Sequence, residues 1–136
     1  MALSSKERAF AAIFAGLAAG FVSILLLEML SPFHPPANID PENPAQLAEW
    51  MQSLPGTAYL FLLLAYSLGA LIGGFATNKV AAASPYRPAL ITGVGLAVTG
   101  FLNQMAMPHP LWFTIAAALV SLLGAWWGGR LVRRRS

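Results

Sequence analysis

Four long apolar stretches divide the chain, and none of them contains a charged residue: residues 9–27, 57–77, 89–106 and 111–129. A helix needs about 20 apolar residues to cross the roughly 30 Å hydrocarbon core of a bilayer. The pattern therefore predicts an all-α membrane protein, a four-transmembrane-helix bundle that forms a single membrane domain. We expect the spans at about residues 8–30, 57–78, 87–106 and 110–131.

A shorter helical pattern lies in the polar segment between the first two spans. Asn43 precedes Pro44, a pair typical of a helix N-terminus, and Gln46 is placed to complete a capping box. Apolar residues then recur on one helical face: Leu47, Trp50, Met51 and Leu54. The pattern predicts a short amphipathic helix over residues 44–54 that lies on the membrane surface or caps the bundle.

The two halves of the chain share a weak internal repeat. At an offset of 75 residues, Gly20, Glu28, His34 and Pro35 match Gly95, Asn103, His109 and Pro110. At an offset of 55 residues, Gly69, Ala70, Gly73 and Gly74 match Gly124, Ala125, Gly128 and Gly129. We interpret this as two parallel helical hairpins related by a pseudo-twofold axis along the membrane normal. Chance similarity between glycine-rich apolar helices is the alternative.

The distribution of charge predicts the orientation of the bundle. All eight Lys and Arg residues lie before the first span, between the second and third spans, or in the basic C-terminal tail over residues 130–136. The segment between the first two spans contains acidic residues and no basic residue. By the positive-inside rule, both termini are cytoplasmic and this segment lies outside. Basic residues beside helix ends favour contact with anionic lipid over nucleic acid.

Small residues at helical spacing predict close packing of the spans. The candidates for helix packing are Gly16, Gly20, Gly69, Gly73, Ser121, Gly124 and Gly128. In lipid there is little hydrophobic drive between helices, so close backbone contact along such residues is a main source of association. The pattern indicates either a compact bundle or a surface reserved for another copy or another subunit.

Glu28 is the only acidic residue within a predicted span, which makes it a candidate for ligand binding or ion coupling. Asn103 occupies the equivalent position of the repeat and shares a helical face with Thr92 and Thr99. The repeat therefore predicts that Glu28 faces Asn103. A carboxylate that reaches water from a helix end, and hydrogen bonds that only join helices, are the alternatives.

The two histidines, His34 and His109, are further candidates for ligand binding because both follow a span on the predicted outer face. With Met105 and Met107 they form a weak candidate metal site, of a kind that suits copper(I). No His-x3-His spacing supports this site, and we expect no cofactor. The chain contains no Cys, which excludes disulfides and cysteine nucleophiles.

Four features occur together in the chain: Glu28 at the end of the first span, the proline-rich outer loop, the segment from Leu68-Gly69 to Gly73-Gly74, and Pro-His-Pro-Leu-Trp-Phe at residues 108–113. Together they resemble a family of small bacterial four-span membrane proteins with no assigned activity. The resemblance implies a bacterial inner membrane and the four-span topology. It implies no catalytic residue.

Three classes of function stay open. A structural or accessory subunit of a membrane assembly is the first hypothesis, because packing signals are abundant and ionisable groups are few. A small homo-oligomeric transporter or channel with Glu28 as the coupling site is the alternative. A membrane enzyme that uses Glu28 and His109 as acid and base ranks last, because no nucleophile motif or phosphate-binding loop occurs. The expected partners are the lipid bilayer and either further copies or a larger membrane complex.

Overall fold

The computed structural model describes residues 2–81, 87–107 and 109–132. Five helices follow one another in these ranges: α1 (Ser5–Met29), α2 (Pro44–Gln52), α3 (Gly56–Ala81), α4 (Arg87–Ala106) and α5 (Leu111–Leu131). Helices α1, α3, α4 and α5 are long and apolar enough to cross a membrane. The predicted all-helical, four-span fold is thus confirmed. Pro108 and the tail beyond residue 132 lie outside the described residues.

The short helix α2 begins at the predicted cap. The Asn43 side chain accepts hydrogen bonds from the N–H groups of Ala45 and Gln46. The Gln46 side chain does not close the expected capping box. It accepts instead from the N–H of Asp40 at 2.8 Å, because the preceding turn brings that donor within reach. Gln46 therefore ties the turn to α2.

Helix α2 covers one end of the bundle through its apolar face. Met51 is buried, and Leu54, just past the helix, packs against a buried cluster that includes Tyr59 and Phe113. The polar face is exposed at Glu49, Gln52 and Ser53. We call this end of the bundle the cap end. The opposite end, which carries the Lys and Arg residues at the helix termini, is the basic end.

Helices α1 and α3 pack antiparallel through glycines. A Cβ atom at Gly16 would collide with the side chain of Thr77 and the carbonyl oxygen of Gly73. A Cβ atom at Gly69 would lie 3.0 Å from the carbonyl oxygen of Gly20. Because backbone meets backbone along this contact, the two helices approach more closely than larger side chains would allow.

Helix α3 packs on α5 in the same manner, with their chains running in the same direction. A Cβ atom at Gly74 would collide with the backbone of Ala125, and one at Gly128 with the backbone of Leu71. Helix α4 is joined to α3 by a buried hydrogen bond of 2.6 Å between the hydroxyls of Thr77 and Thr92. These contacts close the basic half of the bundle.

The helix packing departs from an exact twofold arrangement. Gly69 and Gly73 pack on α1, whereas their repeat partners Gly124 and Gly128 pack on α3. Helix α3 contacts all three other spans, but no Cα atoms of the described residues of α1 and α5 come within 8 Å of each other. Helix α3 is therefore the central element, and a gap separates α1 from α5.

Candidate functional site

A cavity of about 510 Å³ occupies this gap in the half of the bundle nearest the cap end. It runs from Glu28 and Met107, near the helix ends, to Phe21 and Ser121, near the middle of the spans. The seven-residue step from Phe21 to Glu28 corresponds to a depth of about 10 Å along a helix. Most of the wall is apolar.

The cavity is open at its side. Leu25, Phe101 and Ile115 line it and are also 57%, 51% and 54% exposed. These residues lie on three of the four candidate membrane spans, α1, α4 and α5. The opening therefore lies among the apolar surfaces of these helices.

Glu28 contributes a carboxylate to the wall from the last turn of α1. The residue is half-buried, and none of the described residues that line the cavity is Lys, Arg or His. A carboxylate at a helix C-terminus meets the negative end of the helix dipole, which is unfavourable by about 0.3–1 kcal/mol. Helix stability therefore does not explain an acidic residue at this position.

Tyr66 and Asn103 lie beside Glu28 in the same cavity. The phenol of Tyr66 interacts electrostatically with Glu28 and with the side chain of Asn103. The sequence predicts that Glu28 and Asn103 face each other, and the structure places both in one cavity with Tyr66 as their common neighbour. Tyr66 is absent from the sequence-based candidates. Its signal was a phenol deep within a span, away from the membrane interface where Tyr is enriched.

Gln104 is a second residue that the sequence reasoning missed. Its side chain is only 6% exposed and lines the cavity, and its Oε1 atom has no hydrogen-bond partner among the described residues. An unsatisfied buried polar atom costs about 1–3 kcal/mol. The amide next to Asn103, in a span that is otherwise mainly apolar, was the available signal. Gln104 therefore has an enclosed amide oxygen that no donor among the described residues satisfies.

The histidines lie in other surroundings. His34 is exposed. His109 is half-buried, shares a 2.7 Å hydrogen bond between its Nδ1 atom and the carbonyl oxygen of Met107, and stacks on Phe113 with ring centroids 5.1 Å apart. Burial lowers the pKa of His109, and the bond to the Met107 carbonyl offsets part of that shift. His109 is not among the residues that line the cavity.

The weak candidate metal site gains no geometric support. Met105 is 70% exposed, whereas Met107 lines the cavity. Within residues 2–81, 87–107 and 109–132, no group of three or more His, Asp or Glu side chains is placed to hold a metal ion. The metal site therefore stays a prediction from the sequence.

No protein-family model, curated protein or solved structure matches this chain. The resemblance carried by residues 108–113 stays an expectation. The function of the cavity is therefore inferred from the geometry of the cavity.

Proposed function

We propose that this chain is a non-enzymatic membrane protein that binds one amphiphilic molecule in the cavity between α1, α4 and α5. The observation that carries the proposal is the division of the cavity wall. The wall is mainly apolar around Phe21 near the middle of the spans, where the hydroxyls of Thr99 and Ser121 bond to their own helices. Its carboxylate and a side-chain amide, Glu28 and Asn103, lie near the cap end. An amphiphile that places its apolar part inward and its polar part beside Glu28 satisfies both regions. The volume of about 510 Å³ lies within the range of typical ligand pockets, about 300–1,000 Å³.

We infer that the cap end faces outward from a bacterial inner membrane and that both termini are cytoplasmic. The support is the charge pattern, because Lys6, Lys79, Arg87 and Arg130 all lie at the basic end. The loop before α3 carries only acidic charges, at Asp40, Glu42 and Glu49. In this orientation the cavity receives its ligand from the outer leaflet.

The role of structural or accessory subunit has less support from the geometry. Each small residue on which that hypothesis rests packs against another helix of the same chain: Gly16, Gly20, Gly69, Gly73, Ser121, Gly124 and Gly128. Those residues are therefore occupied within one copy. Assembly with further copies or with a larger membrane complex stays a prediction.

Transport with Glu28 as the coupling site is the second candidate. It is favoured by the position of the carboxylate in the cavity wall. Below the cavity, the contact of Gly16 with Gly73 and the bond between Thr77 and Thr92 close the described part of the bundle toward the basic end. Transport therefore requires α1 or α4 to move. Catalysis by Glu28 and His109 is less favoured, because His109 does not line the cavity.

The test is to fill the cavity. Gly100 lies between Leu96 and Gln104 on the inward face of α4, and a Cβ atom there meets nothing within 4 Å. Native mass spectrometry of wild-type protein, extracted with its surrounding lipid, is expected to detect one retained amphiphile per chain. Gly100→Leu should lose it.

The matched control is Gly56→Leu, which adds the same side chain at an open position outside the cavity. Ala118→Leu fills the cavity from α5 and guards against a misfolded first variant. Circular dichroism checks that each variant stays helical. Equal retention by wild type, Gly100→Leu and Ala118→Leu would contradict the proposal.

A further inference from the structure

The Ser and Thr hydroxyls that line the cavity already donate their hydrogen atoms to backbone carbonyl oxygens. Thr99 donates to the carbonyl oxygen of Gly95 and Ser121 to that of Ala117, each at 2.8 Å. Thr114 donates to the carbonyl oxygen of Pro110 over a longer 3.5 Å. A hydroxyl has one hydrogen and two lone pairs, so toward the cavity these groups can only accept.

The remaining polar atoms shift the balance further toward acceptors. The carboxylate of Glu28 is an acceptor with negative charge when ionised. The available donors are neutral: the side-chain amides of Asn103 and Gln104 and the phenol of Tyr66.

The charge of the wall excludes one large class of head group. An anionic head, such as a phosphate, needs several donors or a positive charge and would face the Glu28 carboxylate. No Lys, Arg or His occurs among the described residues that line the cavity. A head group with hydrogen-bond donors and a positive charge is complementary to this wall, because it supplies the donors and the charge that the wall lacks.

We infer that the cavity selects amphiphiles with a primary-ammonium head group, held by the Glu28 carboxylate. The inference rests on the proposed function, because it specifies the ligand of the same cavity. A primary ammonium has three donors and no acceptor, which complements a wall of acceptors. Its alkyl chain extends along Phe21 and Leu96 toward the middle of the spans.

The experiment compares three probes that share one chain and differ in the head group: dodecylammonium, dodecanol and dodecyl phosphate. Binding is measured on the full chain in phosphatidylcholine nanodiscs by native mass spectrometry, with empty nanodiscs as the partition control. We expect dodecylammonium to bind at least about tenfold more tightly than dodecanol, the gain of one charge-assisted hydrogen bond. Dodecyl phosphate should not bind above the partition control.

Two variants test the role of Glu28. Glu28→Gln should reduce the affinity for dodecylammonium to that for dodecanol, while Glu49→Gln removes the same charge from the exposed face of α2 and should change nothing. Affinity for dodecylammonium that is unchanged in Glu28→Gln would overturn the inference.

The outcomes also separate the inference from the proposed function. If all three probes bind equally and Gly100→Leu abolishes binding of each, the cavity binds amphiphiles but the ammonium selectivity is wrong. If no probe binds above the partition control, the inference is wrong and the proposed function loses its support. Selective binding of dodecylammonium that both Gly100→Leu and Glu28→Gln remove supports both.

Discussion

The hydroxyl of Tyr59 donates a hydrogen bond of 2.8 Å to the carbonyl oxygen of Met51, and this bond joins α2 to the first turn of α3. The Tyr59 ring also meets the rings of His109 and Trp112 edge-on, with centroids 6.3 and 5.9 Å apart. One side chain thus connects the loop before α3 to the start of α5. The cap end is consequently fixed through Tyr59.

Tyr59→Phe is expected to lower the free energy of unfolding by about 1 kcal/mol, the usual value of one buried hydrogen bond. The ring contacts stay in this variant, so Tyr59→Ala should cost several times more. Denaturant titration in mixed micelles, followed by circular dichroism, measures both changes. Equal stability of Tyr59→Phe and wild type would show that the bond to Met51 contributes nothing.

Gly128→Ala is expected to destabilise the bundle by about 1–3 kcal/mol, because its Cβ atom would collide with the backbone of Leu71. Backbone atoms cannot move aside as the end of a flexible side chain can. Gly56→Ala is the matched control. Its Cβ atom meets nothing within 4 Å, and loss of a helical glycine should leave the stability unchanged or raise it by up to about 1 kcal/mol. Similar stability changes in the two variants would contradict the close contact of α3 with α5.

The hydrogen bond between Thr77 and Thr92 is expected to couple α3 to α4. Both residues are fully buried, so Thr77→Val and Thr92→Val should each lower the free energy of unfolding by about 1 kcal/mol. Because both changes remove the same bond, the double variant should lose less than the sum of the single losses. Strict additivity in this double-mutant cycle would show that the hydroxyls do not stabilise one another.

Protonation of His109 is expected to destabilise the cap end. Its pKa in the folded chain lies below the ordinary value of 6.5, because burial disfavours the charged ring. The unfolded chain therefore binds a proton at a pH where the folded chain does not. The contribution of His109 to stability is complete above pH 6.5 and falls as the pH drops from there toward the folded pKa.

The measurement for His109 is the free energy of unfolding between about pH 5 and pH 7.5, the window in which an ordinary His titrates. Wild type should lose stability toward the acidic end, and His109→Gln should lose less. Carboxylates titrate in both proteins and cancel in the difference. Parallel pH curves for the two proteins would refute this role for His109.

Gln104→Leu is expected to stabilise the unliganded protein by about 1 kcal/mol, because it removes a buried oxygen that has no donor among the described residues. Denaturant titration of the unliganded protein in mixed micelles measures this change. A loss of stability without ligand would instead indicate that the amide supports the fold.

Much of the fold follows from the apolar runs, because hydrophobic length decides which segments enter a bilayer. The helix ends are less predictable. Helix α3 continues to Ala81 rather than residue 78, since Asn78 is buried and donates to the carbonyl oxygen of Gly129 at 3.1 Å. From sequence alone, Asn78 reads as the end of the helix, because its hydrogen-bond partner on α5 cannot be foreseen.

The candidate site was predictable only in part, for a geometric reason. Glu28 and Asn103 stand out because polar groups in a span are costly wherever they point. Tyr66 and Gln104 belong to the cavity because of how α3 and α4 are rotated about their axes, which depends on contacts between distant segments. The same dependence explains why spacing identified the packing glycines but not that Gly124 faces α3 instead of α4.

The lateral opening of the cavity, where Leu25, Phe101 and Ile115 are exposed, changes which concentration determines its occupancy. A molecule that enters through it diffuses within the plane of the membrane and never crosses bulk water. Its mole fraction in the leaflet therefore sets occupancy, and its aqueous concentration matters only through partitioning. Diluting the bilayer with inert lipid at a constant amount of amphiphile should empty the cavity.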